Sequence, residues 1–82
     1  MTPADHRLEK HSVAIAGHRT SVTLEVAFWR ALKGIAKKRG RSLSELVAEI
    51  DGKRGEMDPP PNLSSALRVY VLSQCTTRTG AA

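Results

Sequence analysis

The heptapeptide His18-Arg19-Thr20-Ser21-Val22-Thr23-Leu24 alternates with a period of two. Thr20, Val22 and Leu24 fall on one side and Arg19, Ser21 and Thr23 on the other, and the β-branched content adds to the pattern of a strand with one polar face. Just upstream, Ser12-Val13-Ala14-Ile15-Ala16 also alternates, but its apolar residues occupy odd positions whereas Val22 and Leu24 are even. Something between the two runs must switch the frame. Gly17-His18 could do so as a two-residue type II′ hairpin loop, which would pair Val13 with Val22 and Ile15 with Thr20. The competing reading is a Gly-centred bulge within one longer strand. Residues 1–11 show no periodicity and are read as a flexible arm.

Downstream the period changes. Phe28, Leu32, Ile35 and Ala36 recur at helical spacing, with Trp29 beside them and lysines and arginines opposite, so the chain from Val26 to Arg39 is an amphipathic helix. Gly40 suits the left-handed position that ends it. Ser42-Leu43-Ser44-Glu45 is a capping box, and Leu43, Leu46, Val47 and Ile50 supply the apolar stripe of a second helix. Three prolines, Pro59, Pro60 and Pro61, make residues 56–61 a linker, because they donate no backbone hydrogen bonds. Asn62 is an N-cap for a third, accessory helix over 62–74, with a tail at 75–82. The expected layout is the arm at 1–11, a strand-helix-helix domain at 12–55 with a candidate extra strand at 12–16, the linker, the accessory helix and the tail.

Eighty-two residues with one Phe, one Trp and one Tyr allow only a thin aliphatic core, which excludes a large enzyme scaffold. The lone Cys75 forms no intrachain disulfide, and no Cys and His residues have zinc-finger spacing, so oligomerisation is the expected means of stabilisation. No apolar run is long enough to span a bilayer, and residues 1–10 do not read as a signal peptide. A cytoplasmic protein is expected. The formal net charge is +5. Arg30, Lys33, Lys37, Lys38, Arg39 and Arg41 crowd into one segment, followed by the acidic stretch Glu45, Glu49, Asp51, Glu56 and Asp58, which is expected to face elsewhere.

A single strand with a polar face leaves backbone groups unpaired and its apolar face uncovered. A twofold partner would solve both problems: two copies of the strand pair antiparallel, and the helices cover the apolar side. Val22, Leu24, Phe28, Trp29, Leu32, Ile35, Leu43, Leu46, Val47 and Ile50 would form the dimer core. The outer face would present Arg19, Ser21 and Thr23 from each chain. A two-stranded antiparallel ribbon is narrow enough for the DNA major groove, where Arg can donate twice to guanine and hydroxyls can meet several base edges.

From Arg19 to Ile50 the chain resembles the ribbon-helix-helix superfamily of bacterial DNA-binding proteins, of the Arc/MetJ/CopG type. The residues that carry this are the strand 19–24, then Phe28, Trp29, Leu32, Ile35 and Ala36, then Gly40, then Ser42-Leu43-Ser44-Glu45-Leu46-Val47, without a gap. More narrowly, Ala16-Gly17-His18-Arg19-Thr20-Ser21 and Asn62-Leu63-Ser64-Ser65-Ala66-Leu67-Arg68-Val69-Tyr70-Val71-Leu72 look like a family of short proteobacterial ribbon-helix-helix proteins. The resemblance implies an α+β fold, mainly helical, in an intertwined homodimer that inserts its ribbon into double-stranded DNA. It carries Arg19, Ser21 and Thr23 over as base-contacting positions and the start of the second helix, Ser42, Leu43 and Ser44 with Arg41, as a phosphate anchor. The anchor has its own physical reason, since a helix N-terminus offers free N–H groups to a phosphate. His18, Lys37 and Lys38 are additional candidate contacts.

The extra strand departs from the family pattern. If 12–16 pairs with the ribbon, a dimeric sheet becomes four-stranded and too wide for the groove, and the basic surface of the first helix takes precedence. His6, His11 and His18 are scattered and support neither a metal site nor a triad; no cofactor and no catalysis are expected. The expected role is a transcriptional repressor or autoregulator acting on the nucleoid. The alternative is the antitoxin of a toxin-antitoxin pair, whose helix at 62–74 binds a partner protein.

Overall fold

The computed structural model describes residues 2–80, with side chains as far as Cys75. A short 3-10 helix, Pro3–His6, leads into β1 (Leu8–Ile15) and β2 (His18–Glu25). Three helices follow: α1 (Val26–Lys38), α2 (Leu43–Arg54) and α3 (Leu63–Gly80). The fold is α+β, a two-stranded antiparallel sheet with helices over one face.

The frame switch is a hairpin, not a bulge, but its turn is Ala16-Gly17 rather than Gly17-His18. Ala16 has φ 51° and Gly17 φ 81°. Two successive residues with positive φ make the type I′ turn, whose twist matches that of the flanking strands, in place of the expected type II′. The register therefore sets Val13 against Thr20 and Ile15 against His18. This is a slip of two residues from the expected pairing, so every side chain keeps its face. Val13, Ile15, Val22 and Leu24 point inward and are buried.

The expected arm is ordered and carries the first half of β1. Asp5 accepts from the Thr2 backbone N–H at 2.8 Å and from the Arg30 guanidinium at 2.6 Å, and the Val26 N–H donates to the Arg7 carbonyl at 2.8 Å. The alternation is masked in sequence because the inward positions are Glu9 and His11. Trp29 covers both: its indole stacks on the His11 ring with centroids 4.2 Å apart, and its Nε1 donates to the Glu9 carbonyl at 2.9 Å.

Trp29, Leu32 and Ala36 are the central residues of α1, with Phe28 and Ile35 flanking them half-buried. This inverts the expected order of Phe28 and Trp29. A left-handed Gly40 (φ 66°) ends the helix, with the Gly40 N–H on the Lys37 carbonyl and the Arg41 N–H on the Ala36 carbonyl, the two bonds of a Schellman motif. The Ser42 capping box forms as read: the Glu45 N–H donates to Ser42 Oγ at 3.1 Å and the Ser42 N–H to Glu45 Oε1 at 2.8 Å. Asn62 caps α3 through the Ser65 N–H at 2.8 Å.

Two expectations change with α3. It is no accessory, because Leu67 and Val71 are buried in the same cluster as Leu24, Leu32, Leu46, Val47 and Ile50. Its backbone also runs on to Gly80 instead of giving way to a tail at 75; residues 81–82 of that tail, like Met1, lie outside the described residues. The residues assigned to a dimer core thus pack within one chain. Likewise β2 receives its hydrogen bonds from β1, so the need for a second copy to pair the strand falls away.

Candidate nucleic-acid interface

In a two-residue hairpin, pairs that exchange hydrogen bonds alternate with pairs that do not. The Val26 N–H to Arg7 carbonyl bond extends the ladder by one step beyond the strands and fixes its phase. Lys10 and Thr23, Ser12 and Ser21, and Ala14 and Arg19 are consequently the non-hydrogen-bonded partners, with side chains close together on the outer face. All six are exposed. Arg19, Ser21 and Thr23 therefore lie in one line on an open surface, as expected from their alternation. Lys10, read as part of the arm, and Ser12, the first residue of the candidate extra strand, share that surface. The signal that could have found them is that Lys10 and Ser12 are in phase with Ala14. His18 is exposed at the turn.

One carboxylate shares the phase of this face: Glu25, opposite Leu8 at the end of the ribbon, where Arg68 holds it. Glu9 faces inward, where its hydrogen bond with His11 at 3.1 Å, aided by the charges of His11, Arg7 and Lys33, lowers its pKa. Glu25, at the end of the ribbon, is lowered by its own backbone N–H and by Arg68, whose Nε donates at 3.0 Å.

A second cluster surrounds the start of α2. The Glu45 N–H is taken by Ser42 Oγ and the Leu46 N–H by the Ser42 carbonyl, which leaves the N–H groups of Leu43 and Ser44 as the first-turn donors that face outward. The acidic stretch does not face wholly away. Glu49 accepts two bonds from Arg39, at 2.7 and 3.2 Å, and lies 3.5 Å from Arg41. The Arg39 hydrogen bonds hold Glu49 below its ordinary pKa, and the same bonds, with a further one to the Tyr70 hydroxyl at 3.1 Å, raise that of Arg39. Glu45 is lowered by the Ser42 backbone N–H and then the Ser42 side chain.

The basic segment is thus partly neutralised within the chain. Arg30 is bound to Asp5 and Arg39 to Glu49, whereas Lys33, Lys37 and Lys38 are exposed on α1. Among the described residues, no hydrogen bond or ion pair joins the ribbon's outer face to the start of α2. The described residues also hold no group of three or more His, Cys, Asp or Glu suited to a metal ion, and no helix long and apolar enough to cross a membrane.

Residues 8–75 match the family model described as the ribbon-helix-helix domain. Among solved structures, the chain is similar to an uncharacterized protein from Bordetella pertussis Tohama I, with 29% identity and a TM-score of 0.81 over 100% of this chain and 67% of that one. No curated protein matches the chain.

Proposed function

Because the chain belongs to the ribbon-helix-helix domain family, whose members are generally DNA-binding regulators or antitoxins, we propose that it is a sequence-specific DNA-binding repressor or autoregulator. It would act as a homodimer on the cytoplasmic nucleoid. The observation that carries this reading is the line of Arg19, Ser21 and Thr23 on an exposed face of a two-stranded antiparallel ribbon, whose one in-phase carboxylate, Glu25, is held by Arg68. Arg19 is a two-pronged donor for guanine O6 and N7, and the hydroxyls suit several base edges.

The Leu43 and Ser44 N–H groups, with Ser42 and Arg41, serve as the phosphate anchor, where the positive end of the helix dipole adds to the Arg41 charge. Lys37 and Lys38 add point charges that attract the backbone without reading sequence. For this reason the α1 lysines rank behind the ribbon as the source of specificity, even though 12–16 pairs. Dimerisation is typical of the family when it binds DNA. The exposed Val69 and Leu72 on α3, beside half-buried Phe28 and Ala31 of α1, offer an apolar strip for it. The second reading, an antitoxin, rests on that strip taking a different protein instead. It gains if the purified chain sediments as a monomer at micromolar concentration and its melting temperature does not depend on concentration.

Selection of bound duplexes from a random DNA pool, followed by fluorescence anisotropy, tests the main reading. Arg19→Ala should cost about 1–3 kcal/mol on the selected site and much less on random DNA. Arg41→Ala should weaken both alike and reduce the salt slope by about one. Failure to enrich any sequence would refute specific recognition.

A further inference from the structure

We infer that the hollow between the end of α2, the Pro-rich linker and α3 is a binding site for a small apolar carboxylate, whose apolar part lies inside while its carboxylate meets Lys53 at the rim. This goes beyond the DNA-binding reading and does not depend on it.

The hollow has a volume of about 240 Å³. Ile50 lines it from α2, Met57 and Pro61 from the linker, and Ala66, Val69 and Tyr70 from α3, so the surface inside is almost wholly apolar. Its walls are tied in place. Arg54 donates to Asp51 at 3.0 and 2.6 Å and to the Pro61 carbonyl at 3.1 Å, which fastens the linker to α2. The Tyr70 hydroxyl is held by Arg39 at 3.1 Å, and Ile50 is buried in the core. Met57 and Val69 are more than half exposed. Apolar side chains around a space that no chain atom fills lack contact partners on one side, and such a space takes an apolar occupant in preference to water.

Size and charge define the occupant. Benzene, with six carbons, occupies an engineered cavity of about 150 Å³, so at the same density this hollow holds about ten carbons. That is the scale of a medium-length acyl chain or a two-ring aromatic group, and too small for a helix about 10 Å across. Of the two cations that line the hollow, Arg54 is paired with Asp51, whereas Lys53 is exposed and has no ion pair among the described residues. Glu49, the carboxylate whose pKa Lys53 helps to lower, is already bound by Arg39 and faces Arg41. Glu56 and Asp58 of the linker are exposed and do not line the hollow. Lys53 can therefore lay its methylene stem along the apolar wall and offer its ammonium to a carboxylate that emerges there. From Leu43 to Lys53 is ten residues of helix, about 15 Å, so the ligand and the proposed phosphate anchor occupy opposite ends of α2.

The test titrates octanoate, octan-1-ol and octylamine, which share one chain and differ in headgroup, into the full isotope-labelled chain, followed by two-dimensional NMR. Octanoate should bind with a Kd on the order of 1 mM and shift amides at 50–57 and 65–70. Lys53→Gln keeps most of the stem and should weaken octanoate about 2- to 5-fold, the size of an exposed ion pair, while leaving octan-1-ol unchanged. Ser65→Leu places a larger side chain on the wall, keeps the backbone N–H that Asn62 caps, and should abolish binding of both. Circular dichroism melts check that each variant is folded, and Lys53, being exposed, tests the charge even if Ser65→Leu does not fold. Absence of shifts at these residues well above that concentration would overturn the site. Octylamine binding as tightly as octanoate, or Lys53→Gln leaving octanoate unchanged, would overturn the carboxylate. Because Val69 also belongs to the strip offered for dimerisation, sedimentation accompanies each titration. If octanoate is excluded as the chain self-associates, a second copy fills the hollow and the ligand site falls.

Discussion

Replacing Leu67 by Ala tests whether α3 is part of the domain or an appendage to it. Leu67 is fully buried, and α3 is held in place around it by the Asn62 cap, the Arg68–Glu25 pair and the Tyr70 hydroxyl bonded to Arg39. A helix pinned at three points cannot shift far to fill the space that Leu67 vacates. The loss should therefore lie within the range for buried leucines truncated to alanine, about 2.7–5.0 kcal/mol. A chain of 82 residues has a total stability of roughly 4–12 kcal/mol, so the variant gives up a large share of it. The melting temperature should drop by at least about 10 °C. Urea titration at fixed protein concentration, followed both by Trp29 fluorescence and by far-ultraviolet circular dichroism, measures the effect. The two probes should move together. Gln74→Ala is the control: Gln74 is exposed on α3 outside the apolar strip, so it should change stability by no more than about 0.5 kcal/mol. A loss below about 1 kcal/mol for Leu67→Ala, or helix signal lost well before the Trp29 signal, would refute the placement of α3 in the core.

The turn makes a prediction of the opposite sign. Ala16 sits at φ 51°, where Asn is far better accepted, so Ala16→Asn should raise the urea midpoint by several tenths of a kcal/mol, roughly, in stability. Gly17→Ala, at φ 81° with open space around the added methyl, should cost about 1–2 kcal/mol from backbone strain alone. Ser42→Ala removes the acceptor for the Glu45 N–H and should cost about 1 kcal/mol in the same titration. Asp5, Glu9, Glu25, Glu45 and Glu49 all have folded pKa values below their ordinary ones. Their stabilisation is in full effect above the unfolded carboxylate values, about 4, and is lost as pH falls through the lower folded values. The urea midpoint should thus be insensitive to these groups near neutral pH and fall progressively below about pH 4, with Asp5→Asn flattening the fall. A midpoint that held steady to pH 2 would contradict the pairings.

The sequence by itself determined the features that depend on near neighbours. The alternation over 19–24, the Gly40 terminator, the Ser42–Glu45 box and the Asn62 cap are each set by local geometry within a few residues, and each forms as read. The inward face of β2 was legible for the same reason, and it survived a wrong turn because a slip of two residues preserves side-chain direction. Tertiary structure decided what no local pattern encodes. Glu9 and His11 are polar at inward positions, so β1 could not be seen to begin at Leu8 until Trp29, eighteen residues beyond His11, folded over them. The choice of Trp29 over Phe28 as the central core residue depends on that same covering contact. An amphipathic stripe shows that α3 has an apolar side but not what the side meets. In this chain it meets the core, because the linker returns α3 across β2. Glu49 likewise reads as part of an acidic run, and only the angle set by the α1–α2 turn brings it to Arg39 and Arg41. The ribbon followed the same rule: local alternation supplied its polar face and left a hairpin with 12–16 as one of two readings, and the register decided for the hairpin and carried it back to Leu8.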